Sequence, residues 1–73
     1  MARQSTRLEV APDGEKWMVH EPGIGRLTSH ADKLAATAAA RAVAAIHTPC
    51  ELIIRNDDGS IASEEVYPRP TKR

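Results

Sequence analysis

The residues with the most reactive chemistry are His47 and Cys50, which are separated by two positions in the manner of a metal-ligand pair. A structural zinc site needs four converging ligands, usually as two such pairs. Only one pair exists here, with His20 and His30 distant in sequence. His47 reads instead as a residue that suits the negative end of a helix, and Cys50 as a small core residue. Asn56, Asp58, Gly59, Ile61 and Glu65 fit several places of an EF-hand calcium loop, but its first ligand place falls on Ile54, which cannot ligate. A hairpin turn explains the same residues. Cys50 with His47, or Ser29 or Ser60 with a histidine, has the types for nucleophilic catalysis. Such a nucleophile also needs an activating base and an oxyanion site, and a chain this small rarely builds a ligand-sized concavity. Gly23-Ile24-Gly25 lacks the third glycine of a dinucleotide loop. The expectation is therefore no catalytic residue, no metal and no cofactor.

Macromolecular partners are better supported. Ten basic and ten acidic side chains cancel to a net charge of zero, but they are segregated. Arg3, Arg7, Arg69, Lys72 and Arg73 lie near the two ends and are candidate phosphate contacts if the ends emerge on one side. Neutral net charge, an acidic second hairpin and the lack of stacking aromatics weigh against nucleic acid. Between Glu51 and Val66 five acids (Glu51, Asp57, Asp58, Glu64 and Glu65) face one base, Arg55. Asp57, Asp58, Glu64 and Glu65 are candidates for an acidic protein-docking surface, including that of a phage- or mobile-element-borne inhibitor of a basic host protein.

Seventy-three residues make one domain. A domain of this size buries only about 60% of the surface its unfolded chain exposes. The single cysteine forms no internal disulfide and fits a reducing, cytoplasmic setting. Met1 to Thr6 is polar, without an apolar signal core, and no run is apolar enough to span a bilayer. With one Trp, one Tyr and no Phe, the core must come from aliphatic residues and Trp17. Self-association is the remaining way to support so small a core.

The elements that position these residues follow from periodicity. Arg7 to Ala11 alternates polar and apolar as a half-buried strand does. Pro12-Asp13-Gly14 is a turn, and Lys16 to His20 returns, with Trp17 and Val19 on the face of Leu8 and Val10. Glu21-Pro22-Gly23 ends that strand, and Ile24 to Thr28 reads as a linker with a short extended piece at Arg26-Leu27. Ser29 and Asp32 resemble a capping box for a helix from Ala31 to Ile46, a stretch that holds nine alanines. Thr48-Pro49 stops it. Glu51 to Arg55 is the most hydrophobic strand, Asn56 to Ser60 a hairpin turn, and Ile61 to Tyr67 a polar edge strand.

At 100° per residue, Leu34, Ala38, Ala42, Ala45 and Ile46 form one apolar stripe on the helix. Ala36, Ala40, Val43 and Ala44 form a second, and Lys33, Thr37 and Arg41 a polar side. Periodicity alone leaves open which stripe is buried.

Trp17-x-Val19, then Lys33, Ala36, Ala40, Arg41, Val43 and Ala44, then Glu51-Leu52-Ile53-Ile54, Asp58-Gly59-Ser60-Ile61 and Tyr67 together resemble the bacterial domain of unknown function 2188 family. The chain departs from that pattern at Asp32-Lys33, where the family has Thr-Lys, and at Thr37, where an aliphatic residue is common. The His47 to Cys50 loop is one residue longer. The resemblance implies a small α+β domain of bacterial or phage origin with no established activity. It also implies that Ala36, Ala40, Val43 and Ala44 form the buried strip, which frees Leu34, Ala38, Ala42 and Ile46 to meet a partner.

The combined expectation is an α+β fold, β-β-α-β-β, with an antiparallel sheet from two hairpins packed on one alanine-rich helix. Residues 7–67 form the domain, between tails at 1–6 and 68–73. The expected function is a non-enzymatic protein-interaction domain that forms a homodimer, with nucleic-acid binding as the alternative and no membrane association.

Overall fold

The computed structural model describes residues 6–68. Its elements are β1 (Thr6–Asp13), β2 (Lys16–Glu21), β3 (Gly25–His30), α1 (Lys33–Ile46), β4 (Cys50–Arg55) and β5 (Ile61–Tyr67). They form one five-stranded sheet in the order β3-β2-β1-β4-β5. The α+β class holds, with one helix across a sheet.

Two details of the expected architecture are corrected. The segment read as a linker is a full strand, β3, antiparallel to β2 with a bulge between Val19 and His20. Its sequence, GRLTSH, lacks an apolar alternation because it lies at the sheet edge, where backbone pairing rather than burial holds it. The sheet is also mixed rather than antiparallel, because β1 pairs parallel with β4, Leu8 opposite Leu52 and Val10 opposite Ile54. A helical crossover is the usual means of bringing such strands side by side.

The helix start is corrected as well. Ser29 belongs to β3, paired with Met18. Asp32 is the cap: its backbone is extended (φ −146°) and its carboxylate accepts from the Ala35 N–H at 2.8 Å. An N-cap Asp satisfies one of the free amides of the first turn. At the other end the His47 N–H donates to the Val43 carbonyl at 3.0 Å.

The core lies between α1 and one face of the sheet. Leu8, Val10, Val19, Cys50, Leu52 and Ile54 meet Ala36, Ala40 and Ala44, with Trp17, Ala39, Val43 and Tyr67 packed around them. The buried strip is thus the one the family resemblance implies. Three fully buried alanines let the helix lie close to the strands. Thr37, placed by periodicity on the polar side, is 7% exposed. The buried arc is wider than an alanine-only strip, and its edge takes in that position.

The helix packs against β1, β2, β3 and β4. The edge strand β5 lies beyond this footprint, so a groove remains between them. In the β4–β5 hairpin the Gly59 N–H donates to the Asn56 carbonyl at 2.9 Å and the Asn56 N–H to the Ser60 carbonyl at 2.7 Å. Gly59 has φ +90°, the left-handed conformation that follows the turn and that glycine adopts without cost from a Cβ.

Candidate functional site

The helix stripe chosen from sequence is the outer face of α1. Leu34 is 80% and Ile46 76% exposed, and Ala38 and Ala42 between them are also exposed. The four residues are spaced by four, so they form a single ridge across the helix surface. Apart from Arg41, the exposed side chains of this helix (Leu34, Ala35, Ala38, Ala42, Ala45 and Ile46) are uncharged and apolar. A solvated helix face ordinarily carries charge.

The four acids do not form one surface. Asp57 and Asp58 sit at the hairpin turn. Asp58 accepts from the Ser60 hydroxyl at 2.6 Å and its N–H at 3.0 Å, and these bonds hold its carboxyl below the usual range. Glu64 and Glu65 are consecutive in a strand and point to opposite sheet faces. Glu64 is exposed opposite Ile53. Glu65 takes a two-pronged ion pair from Arg41, Nε to Oε1 at 3.1 Å and Nη2 to Oε2 at 2.6 Å, while the Tyr67 hydroxyl donates to Oε1 at 3.0 Å. The Arg41 hydrogen bond outweighs burial and keeps the Glu65 carboxyl below its ordinary value.

Of the five candidate phosphate contacts, Arg7 is described and Arg3, Arg69, Lys72 and Arg73 lie outside the described residues. Arg7 donates to Glu51 at 2.9 Å across the parallel strand pair. Cys50 is 1% exposed, and burial, with help from Glu21 and Glu51, pushes its thiol up. That is opposite to the shift a nucleophilic thiolate needs. His47 is exposed at the helix end. Among the described residues, no three or more His, Cys, Asp or Glu side chains are grouped to hold a metal ion. No helix among them is long and apolar enough to cross a membrane.

Two arrangements were not apparent from sequence. On the sheet face away from α1, Glu9 Oε1 accepts from His20 Nε2 at 3.2 Å and Arg55 Nε at 3.3 Å, so three adjacent strands share one carboxylate. Burial alone would raise the Glu9 carboxyl, but Arg55 and His20 together bring it below its ordinary value. The alternation of Arg7 with Glu9 and of Glu51 with Arg55 signals such a ladder, but only once the register of β1 on β4 is known.

The second arrangement is the groove between α1 and β5. It has a volume of about 480 Å³ and is lined by Lys33, Leu34, Thr37, Arg41, Ile54, Ala62 and Ser63. It is an open groove, not an enclosed pocket. The helix sits over β1 to β4 and leaves the start of β5, at Ala62 and Ser63, open, while Glu65 and Tyr67 further along meet Arg41 and the core.

Residues 8–67 match the family described as an uncharacterized protein conserved in bacteria, DUF2188. The chain belongs to that family. No curated protein and no solved structure matches it.

Proposed function

We propose that this DUF2188 member is a non-enzymatic protein-interaction domain whose partner is a second copy of itself, docked through the outer face of α1. The observation that carries this reading is the ridge Leu34, Ala38, Ala42 and Ile46, with large residues at both ends and small ones between. The pattern is symmetric about its midpoint. A two-fold axis passing between Ala38 and Ala42 sets Leu34 against Ile46 of the partner and Ala38 against the partner's Ala42. Isologous contacts require this self-complementarity. Packing of such ridges into one another is the commonest way helices cross, and alanines at the crossing point favour the short end of the usual 8–10 Å axial separation.

Charge also favours a second copy. The Arg41 guanidinium beside the ridge already has Glu65 of its own chain as counter-ion, so closing the interface does not strand that cation without a partner. The ridge spans about 18 Å at 1.5 Å per residue, which makes a small contact and puts the expected association in the micromolar range. The raised thiol of Cys50 supports the non-enzymatic part of the reading.

The test is size-exclusion chromatography with light scattering on the whole chain and on Ile46→Glu. Both side chains at this position are solvent-exposed, so the fold is retained. The wild-type chain is expected to approach twice its 7.9 kDa mass as concentration rises, and the variant to remain at one mass. A wild-type chain that stays monomeric at high concentration, or a variant that dimerises equally well, overturns the reading.

A further inference from the structure

We propose that the groove between α1 and β5 binds a small amphiphilic carboxylate, with its apolar tail on Ile54, Leu34 and Ala62 and its head at Thr37, Ser63 and Lys33. The volume of about 480 Å³ lies within the range of small-molecule sites. Ile54, from the central strand β4, is 4% exposed and forms the apolar floor. The polar groups in the lining are two hydroxyls and two cations, with no carboxylate among them. Such a set donates hydrogen bonds and favours an anion.

Thr37 supplies the second observation. It is only 7% exposed, and it lines the groove. Its hydroxyl has no hydrogen-bond partner among the described residues. Yet no fully buried side-chain polar atom is left unsatisfied among them. The hydroxyl is therefore not sealed from solvent, and the solvent-filled space that Thr37 lines is the groove. A buried helix position ordinarily takes an aliphatic residue, since a hydroxyl there costs free energy unless it is bonded. Here that bond is available to an occupant.

The two cations differ in what they can offer. Arg41 is held by Glu65. The Lys33 ammonium lies 5.6 Å from the centre of the Trp17 ring, a contact that leaves its charge uncancelled. The helix N-terminus itself is already capped by the Asp32 carboxylate, so the ligand's charge is matched by Lys33 and the hydroxyls alone. The carboxylate is therefore expected between Lys33 and the two hydroxyls, with the tail running along Ile54 beneath Leu34. This ligand site adjoins the dimer contact on the outer helix ridge, and Leu34 belongs to both.

Decanoate is a suitable probe, with decanol and decyltrimethylammonium as controls of equal tail length. Binding is followed by backbone amide shifts in the Ile46→Glu background, so that failure of self-association and failure of this site are read separately. Decanoate is expected to shift Thr37, Ile54, Ala62 and Ser63 in a saturable way, and the two controls to bind more weakly. Thr37→Val keeps the side-chain shape and removes the hydroxyl. It is expected to weaken decanoate about tenfold, the effect of losing one hydrogen bond to a charged group, without weakening decanol. Lys33→Met is expected to weaken decanoate alone. Absence of saturable shifts in the groove, equal binding of decyltrimethylammonium, or unchanged decanoate binding by folded Thr37→Val overturns the proposal.

Discussion

Arg41 of the helix grips Glu65 of the edge strand with both prongs of its guanidinium, at 3.1 and 2.6 Å, across the open side of the fold. Because β5 lies outside the packed footprint of α1, this ion pair is the polar tie across the groove. It is half-exposed on the arginine side. Pairs of this kind contribute about 0–1 kcal/mol. Arg41→Ala is thus expected to lower global stability by no more than about 1 kcal/mol in chemical denaturation. Its larger effect is local: amide exchange in β5 should quicken while exchange in β1 and β4 stays slow. Equal acceleration throughout the sheet would show that the tie is not local.

Glu9 is one of the carboxylates whose pairing ties stability to acid pH. Its carboxyl lies below the ordinary value of 4.5 because Arg55 and His20 outweigh burial. A carboxylate lowered on folding stabilises the native state above its unfolded pKa, and that contribution disappears as pH falls through the folded value. Glu65 and Asp58 are shifted in the same direction. Stability should therefore fall as pH drops below about 4.5, the ordinary glutamate value. Glu9→Gln should flatten part of that fall and cost about 1–3 kcal/mol at neutral pH, since Arg55 loses its charged partner. Urea melts across the acid range check both. An unchanged pH profile in Glu9→Gln would remove Glu9 from this account.

The separation of helix and sheet rests on alanine. Ala36, Ala40 and Ala44 are fully buried against Leu8, Val10, Leu52 and their neighbours. Ala40→Leu is expected to cost about 1–3 kcal/mol or more, as overpacking does, which is a large share of a small domain's stability. The corresponding change on the outer ridge, Ala42→Leu, should leave thermal stability of the monomer nearly unchanged. If the two variants melt alike, the buried and exposed sides of α1 have been exchanged.

Cys50 should behave as a core residue. With 1% exposure and a thiol pushed up by burial, it is expected to resist alkylation in the native chain and to react promptly in denaturant. Rapid native alkylation at neutral pH would contradict its placement.

Much of this fold was legible because local rules acted alone. Leu8 and Val10 alternate, Asp58-Gly59 marks its hairpin, and the alanine run declares its helix. What escaped reading depended on neighbours distant in sequence. β3 has no apolar alternation, since it is held by pairing with β2. Its extension through His30 moved the helix cap from Ser29 to Asp32. The parallel register of β1 on β4, which joins Glu9 to Arg55 over 46 positions, has no local signature. Periodicity sets Thr37 with Lys33 and Arg41 on the polar side of the helix. Only the seating of α1 on the sheet shows that it lies within the buried arc at the groove.

The first strand in the chain, β1, is the middle strand of the sheet, flanked by β2 and β4. A chain emerging from the ribosome completes the β1–β2–β3 meander long before β4 exists to flank it. The helix, made next, can cover the inner face of that meander, but one edge of β1 has no partner until β4 is made. A chain cut short before β4 would keep β1 as an open sheet edge, of the kind that pairs with other chains.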